Sequence, residues 1–183
     1  PSITRYVDNN VEDGAAQAIR HLLDRGHRAI RLLAGPEPMI FTRQLVVGMR
    51  RAYTEFGCDP DQGQVAYGEF TEASGYEAAA LLLGTEPAVT AVFTASGKQA
   101  VGVMEYARQH DLQIPDRLSL VSFGKHPVVG ALGRRLTYLD QPEVEVGMRV
   151  ARKLLDQISD PDTDIQPEVL PLQLVVGETT ANV

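Results

Sequence analysis

The chain has 183 residues, 44% apolar and 22% charged, with no Trp and a formal net charge of −7. That length holds a substantial core without metal or disulfide staples, and the composition excludes a disordered chain. The acidic balance, with Arg50-Arg51 and Arg134-Arg135 as isolated basic pairs, argues against a nucleic-acid surface on this segment; the single Cys58 excludes an internal disulfide, and no apolar run reaches membrane-spanning length.

In chain order, residues Ser2 to Val7 read as a strand already under way at Pro1, with no charged-then-apolar leader ahead of it. The protein is therefore expected to extend upstream and to be cytoplasmic. Asn9 or Asn10 caps a helix whose apolar face is Val11, Ala15, Ile19, Leu22 and Leu23, and Gly26 stops it. Ala29 to Ala34 is a strand, followed by a helix with Phe41, Leu45, Gly48, Met49, Ala52 and Phe56 on one face. Gln64 to Gly68 is a strand, Thr71 caps a helix over Ala73 to Leu83, Val89 to Thr94 is a strand, and a helix follows with Ala100, Val101, Met104 and Ala107. Leu118 to Phe123 closes the series. Alternating strands and helices predict an α/β fold with a parallel sheet and helices on both faces.

Past Gly124 the pattern changes. A stretch with Pro127, Gly130 and Gly133 carries no clear element; then come a strand (Leu136 to Leu139), a long helix (Glu143 to Ile158) and a strand over Val169 to Val176. The stripe Val146, Val150, Leu154 and Ile158 needs a sheet to cover, and the strands near it in sequence are too few. A second lobe with strands ahead of Pro1 is the expected partner, and the helix should otherwise be left with exposed apolar surface.

Ligands of open parallel sheets bind beyond the carboxyl ends of the strands. That rule selects Phe41 and Arg43, Phe70, Ser96 and Lys98, and Gly124 and Lys125. The helix after Ser96 offers free backbone N–H groups, Phe70 offers a stacking face, and the three cations offer charge. Familiar chemical motifs fail. Ser96-Gly97-Lys98-Gln99 lacks both the leading Gly (Val92 stands there) and the Ser or Thr of a phosphate-binding loop. Asp160, Asp162 and Asp164 lack the Gly and Glu of a calcium loop. His21, His27, His110 and His126 have no metal-ligand spacing; His21 and His27 sit near a helix end, where a cation is favoured. No catalytic pair, metal or cofactor is expected.

Several segments, in order, carry a further signal: Val7-Asp8-Asn9, Gly26-His27-Arg28-Ala29-Ile30, Leu33-Ala34-Gly35-Pro36, Ile114-Pro115-Asp116 leading into Leu118 to Phe123, and Leu136-Thr137-Tyr138-Leu139-Asp140-Gln141-Pro142. The series resembles the LacI/GalR family of bacterial transcriptional regulators. The resemblance implies a periplasmic-binding-protein-like type I fold, a sandwich of parallel sheets in two lobes around an effector cleft. Residues 1–12 would end the N-terminal lobe, 13–130 form the C-terminal lobe, 131–160 return to the N-terminal lobe, and 161–183 give the last strand and tail. It further implies a homodimer that binds operator DNA through a headpiece absent from this sequence, with a sugar or sugar phosphate as effector and no membrane partner. A solute-binding protein of a sugar transporter shares the fold and is the alternative. Some positions depart from the family's pattern: Leu45 stands where it has an effector-gripping Arg, Ser96-Gly97 where it has Asn-Asp, and Gly124 where it has Asp. With those carboxylates gone and Arg43, Lys98 and Lys125 nearby, the expected effector is anionic, or sugar binding is lost.

Overall fold

The computed structural model describes residues 5–82, 89–127 and 135–183. Its elements are β1 (Val7–Asn9), α1 (Val11–Asp24), β2 (Ile30–Ala34), α2 (Ile40–Glu55), β3 (Gln64–Tyr67), α3 (Glu72–Leu82), β4 (Ala91–Thr94), α4 (Gly97–Gln109), β5 (Ser119–Phe123), β6 (Thr137–Asp140), α5 (Glu143–Ser159), β7 (Glu168–Leu170) and β8 (Gln173–Val175), with a 3-10 turn at Pro60–Gln62. Expectations for Ser2 to Thr4, for Leu83 and Gly84, and for the stretch holding Gly130 and Gly133 lie outside the described residues.

Six strands form one sheet in the order β3-β2-β4-β5-β6-β8, parallel except for β8, which runs antiparallel to β6. Strand alternation sorts its side chains into two layers. Ile30, Leu32, Ala91, Phe93 and Val121 pack with Ile19, Leu22, Leu45 and Met49 of α1 and α2. Leu33, Val92 and Leu120 pack on the other face with Ala79, Ala100, Val103 and Ala107 of α3 and α4. Helices cover both faces, so the wholly buried strands β2, β4 and β5 have no polar face to show.

The helix pairs on each face cross closely because glycine stands at the crossings. A Cβ on Gly48 would lie 2.2 Å from the Glu12 carbonyl oxygen of α1, and one on Gly102 would lie 2.0 Å from the Glu72 carbonyl oxygen of α3. At the helix ends, Asn10 accepts the Asp13 N–H, Thr71 accepts the Ser74 N–H, and Gly26 leaves α1 at φ +93°. These are the caps and stop that the sequence implied.

The end of the chain differs from expectation. The single strand read over Val169 to Val176 is two strands in different sheets: β7 pairs in parallel with β1, and β8 joins the large sheet. Pro171 lies between them and has no N–H to contribute to a continuous ladder. The strand read from Ser2 begins in the described chain at Val7. Helix α5 rests beside the β1–β7 pair through Arg149 and Lys153, which both reach Glu168, at 2.8 and 2.9 Å. Its apolar side chains Val144, Met148, Leu154, Leu155 and Ile158 stay exposed, and none of its residues is buried.

The tail after β8 folds back across the amino ends of the strands. Val183 N–H donates to the Arg25 carbonyl, and the His27 ring sits between Thr90 Oγ1 (2.9 Å), Ser119 Oγ (3.0 Å) and the Ala181 carbonyl (3.1 Å). The Ala181 carbonyl only accepts, so His27 Nε2 carries the proton and Nδ1 accepts from the Thr90 hydroxyl. Likewise His21 Nδ1 accepts from Arg25 (3.1 Å) and Nε2 donates to Thr180 Oγ1 (3.0 Å). Both rings are structural, but as buried neutral groups and not as cations on a helix dipole. Burial, reinforced by the Arg25 charge, pushes His21 down to about 4, and burial lowers His27 as well.

The unfolded chain, whose histidines titrate near 6.5, therefore takes up protons before the folded one does. The stability from these rings is complete above about pH 6.5 and declines as pH falls from there towards 4. Thermal melts should show Tm falling between pH 7 and pH 5.5, with a slope of at most about 1.4 kcal/mol per pH unit for each ring. Replacing both histidines by Gln should flatten that slope; an unchanged slope would assign it elsewhere.

Candidate functional site

At the carboxyl ends of β4, β5 and β6 lies a cavity of about 380 Å³. One wall is aromatic. Phe41, in the first turn of α2, meets Phe123 edge to face with centroids 4.9 Å apart and interplanar angle 85°, and meets Phe70 at 6.0 Å and 59°. Phe70 reaches this position because residue 35 has no side chain: a Cβ on Gly35 would lie 2.0 Å from the ring's Cζ.

Facing the aromatics are neutral polar groups. Ser96 caps α4, its Oγ accepting the Gln99 N–H at 3.2 Å, so the hydroxyl proton stays available to a ligand. Gly97 brings the α4 terminus against the loop after β5; a Cβ there would stand 2.8 Å from the Lys125 carbonyl oxygen. Gly124 turns that loop at φ +79°, a conformation costly for residues with a Cβ, and its Cα faces the Gln141 amide. Gln141, just past β6, accepts from Asn9 Nδ2 at 3.3 Å and lines the same cavity. Beneath the site, Gln99 Nε2 donates to the carbonyls of Ala34 (3.2 Å) and Glu69 (3.1 Å), tying the β2 and β3 loops to α4.

The charges around this cavity offset one another. Lys125 lines it, but its Nζ lies 3.5 Å from Asp140 Oδ1, and Glu143 lines the cavity as well. The arrangement suits a neutral, hydroxyl-rich ligand with an apolar ring face: stacking surface on one side, uncharged donors and acceptors on the other.

Residues 19–180 match the periplasmic binding protein-like domain family. The chain belongs to that family. Its relatives are LacI-family regulators. The HTH-type transcriptional regulator CelR of Thermobifida fusca is 32% identical over 95% of this chain and 51% of its own length. The HTH-type transcriptional repressor CytR of Escherichia coli K12 is 29% identical over 97% of this chain and 51% of its own. Thus the chain spans about half the length of the curated relatives it matches. Among solved structures, a LacI family transcriptional regulator from Enterococcus faecium with bound ribose superposes with a TM-score of 0.89 at 26% identity, covering 97% of this chain and 65% of that one. The CelR–cellobiose complex gives 0.89 at 32% identity, over 96% and 54%. The resemblance read from the ordered segments and the parallel-sheet fold it implied are both correct.

Within this periplasmic binding protein-like domain, five residues selected by the strand-end rule share one cavity: Phe41, Phe70, Ser96, Gly124 and Lys125. Two do not. Arg43 Nη2 donates to the Pro38 carbonyl (2.8 Å), and its side chain lines a separate cavity with Val46, Val47 and Tyr67. It stands two residues from Phe41 on α2, so it leaves the helix on another face. Lys98 is exposed on the first turn of α4, outside the cavity lining. With these two cations elsewhere and Lys125 paired, the charge argument for an anionic effector loses its footing. Phe123 and Gln141 were missed. Phe123 read as strand core, and Gln141 would have been selected had β6 been placed in the large sheet.

Substituting Gly35 by Ala should displace the Phe70 ring from the cavity wall and destabilise the domain by about 1–3 kcal/mol. Chemical denaturation and a crystal structure of the variant check both; an unmoved ring would show that Gly35 does not set its position.

Proposed function

We propose that this chain is the effector-sensing domain of a DNA-binding transcriptional repressor, and that the effector is a neutral sugar held by Phe41, Phe70, Ser96, Gly124, Lys125 and Gln141. The carrying observation is the cavity's makeup, an aromatic wall opposite a hydroxyl, an amide and a glycine-lined backbone, with Lys125 offset by Asp140. The bound ribose and cellobiose named for its structural relatives support the same class of ligand. The relatives are transcriptional regulators and not enzymes, which also favours this reading over a solute-binding protein of a transporter. In the whole protein the domain works as a homodimer in the cytoplasm and meets operator DNA through a segment outside this sequence. The sugar changes operator affinity by binding the two states of the dimer unequally.

Calorimetric titration tests the reading. A neutral mono- or disaccharide should bind, and the phosphorylated form of the same sugar should bind no more tightly. Phe70→Ala should weaken the sugar about tenfold, in line with the ~0.5–1.5 kcal/mol of an aromatic contact plus the lost apolar area. Binding of the phosphorylated form alone would return the effector to the anionic class.

A further inference from the structure

A second cavity, about 610 Å³, lies at the opposite end of the sheet, where β2 and β3 begin. Arg28, Arg31, Asp59, Gln62 and Gln64 line it. Arg31 is 1% exposed, on β2, in register with Gln64 of β3. Its Nε has no hydrogen-bond partner, and among the described residues no carboxylate lies within ion-pair distance of its guanidinium. A guanidinium stays protonated in a protein, and a buried charge without a counter-charge is strongly unfavourable. Tyr53, the neighbour that acts on Arg31 electrostatically, cannot supply that charge: burial pushes its phenol up to about 12, and the hydroxyl donates to the Arg28 carbonyl.

The other lining groups fit an anion better than a cation. Arg28 uses Nη1 on the Leu23 and His27 carbonyls, which fixes a second guanidinium at the wall. Gln62 and Gln64 add amide donors. Asp59 is the one carboxylate in the lining; it is exposed and accepts the Asp61 N–H of the 3-10 turn, so it belongs to the rim.

We propose that this cavity is a binding site for a small oxyanion, a phosphate or phosphomonoester group, with Arg31 as the buried counter-charge. It is separate from the sugar cavity, at the opposite end of the same sheet. The planar fork of a guanidinium matches two oxygens of such a group, and Arg28 with the glutamine amides reaches the others.

The test is thermal melting of the protein in inorganic phosphate against sodium chloride of equal ionic strength. Phosphate should raise Tm saturably, as a ligand of the folded state does. Gln64→Glu places a carboxylate beside Arg31 on the neighbouring strand, at a position exposed enough to tolerate it. This variant should melt higher than the parent without phosphate, and its phosphate affinity should fall at least tenfold. Arg31→Met, which keeps the apolar volume, should abolish the phosphate response. Phe70→Ala, in the sugar cavity, should leave it intact, which separates this site from any failure of the sugar reading. Glycerol phosphate binding more tightly than inorganic phosphate would assign the site to a phosphorylated metabolite, and equal or weaker binding would assign it to the free ion. The proposal is overturned if phosphate acts no more strongly than chloride, if both Arg31-directed variants respond as the parent does, or if Phe70→Ala removes the response.

Discussion

A parallel sheet must be covered on both faces, and much else in this domain follows from that requirement. Strands β2, β4 and β5 are buried along their whole length, so each face needs a helix layer in close contact. Close contact in turn requires that the paired helices on each face approach one another, and Gly48 and Gly102 permit it by leaving out the Cβ that would meet a carbonyl of the neighbouring helix. With the layers fixed, the loops at the carboxyl ends converge. Gly35, Gly97 and Gly124 then let ring, helix terminus and turn crowd into one small cavity.

Much of this was legible in the sequence. The short apolar runs at Ile30 to Ala34 and Ala91 to Thr94, the Asn10 and Thr71 caps, and the stop at Gly26 are local signals, and local physics reads them correctly. What was not legible depends on partners distant in the chain. That Val169 to Val176 is two strands rests on which sheet each half joins, though Pro171 marks the break. That Arg43 leaves the cavity that Phe41 enters rests on helix phase, which loop membership alone does not supply. Burial keeps His21 and His27 neutral, and the groups that meet the buried rings, Thr180 and Ala181, stand more than 150 positions away.

Charge illustrates the same limit. A count of cations near the strand ends suggested an anion there, yet Lys125 finds Asp140 from the adjoining strand and the other two point elsewhere. Meanwhile Arg31, hidden inside an apparently ordinary strand, is a buried cation that the described residues leave without a counter-charge. Composition told how many charges there are; only the fold tells which ones are compensated.

The path of the chain between the two sheets is short at every passage. Asn10 alone separates β1 from α1, Gln141 and Pro142 separate β6 from α5, and Pro171 and Leu172 separate β7 from β8. Three such short links leave few free backbone torsions between the β1–β7 pair and the six-stranded sheet. Asn9 and Gln141 are hydrogen-bonded to each other across two of the three links, and Gln141 also lines the cavity at the carboxyl ends of β4, β5 and β6. Whatever rests against that amide therefore also bears on the short connections between the two sheets.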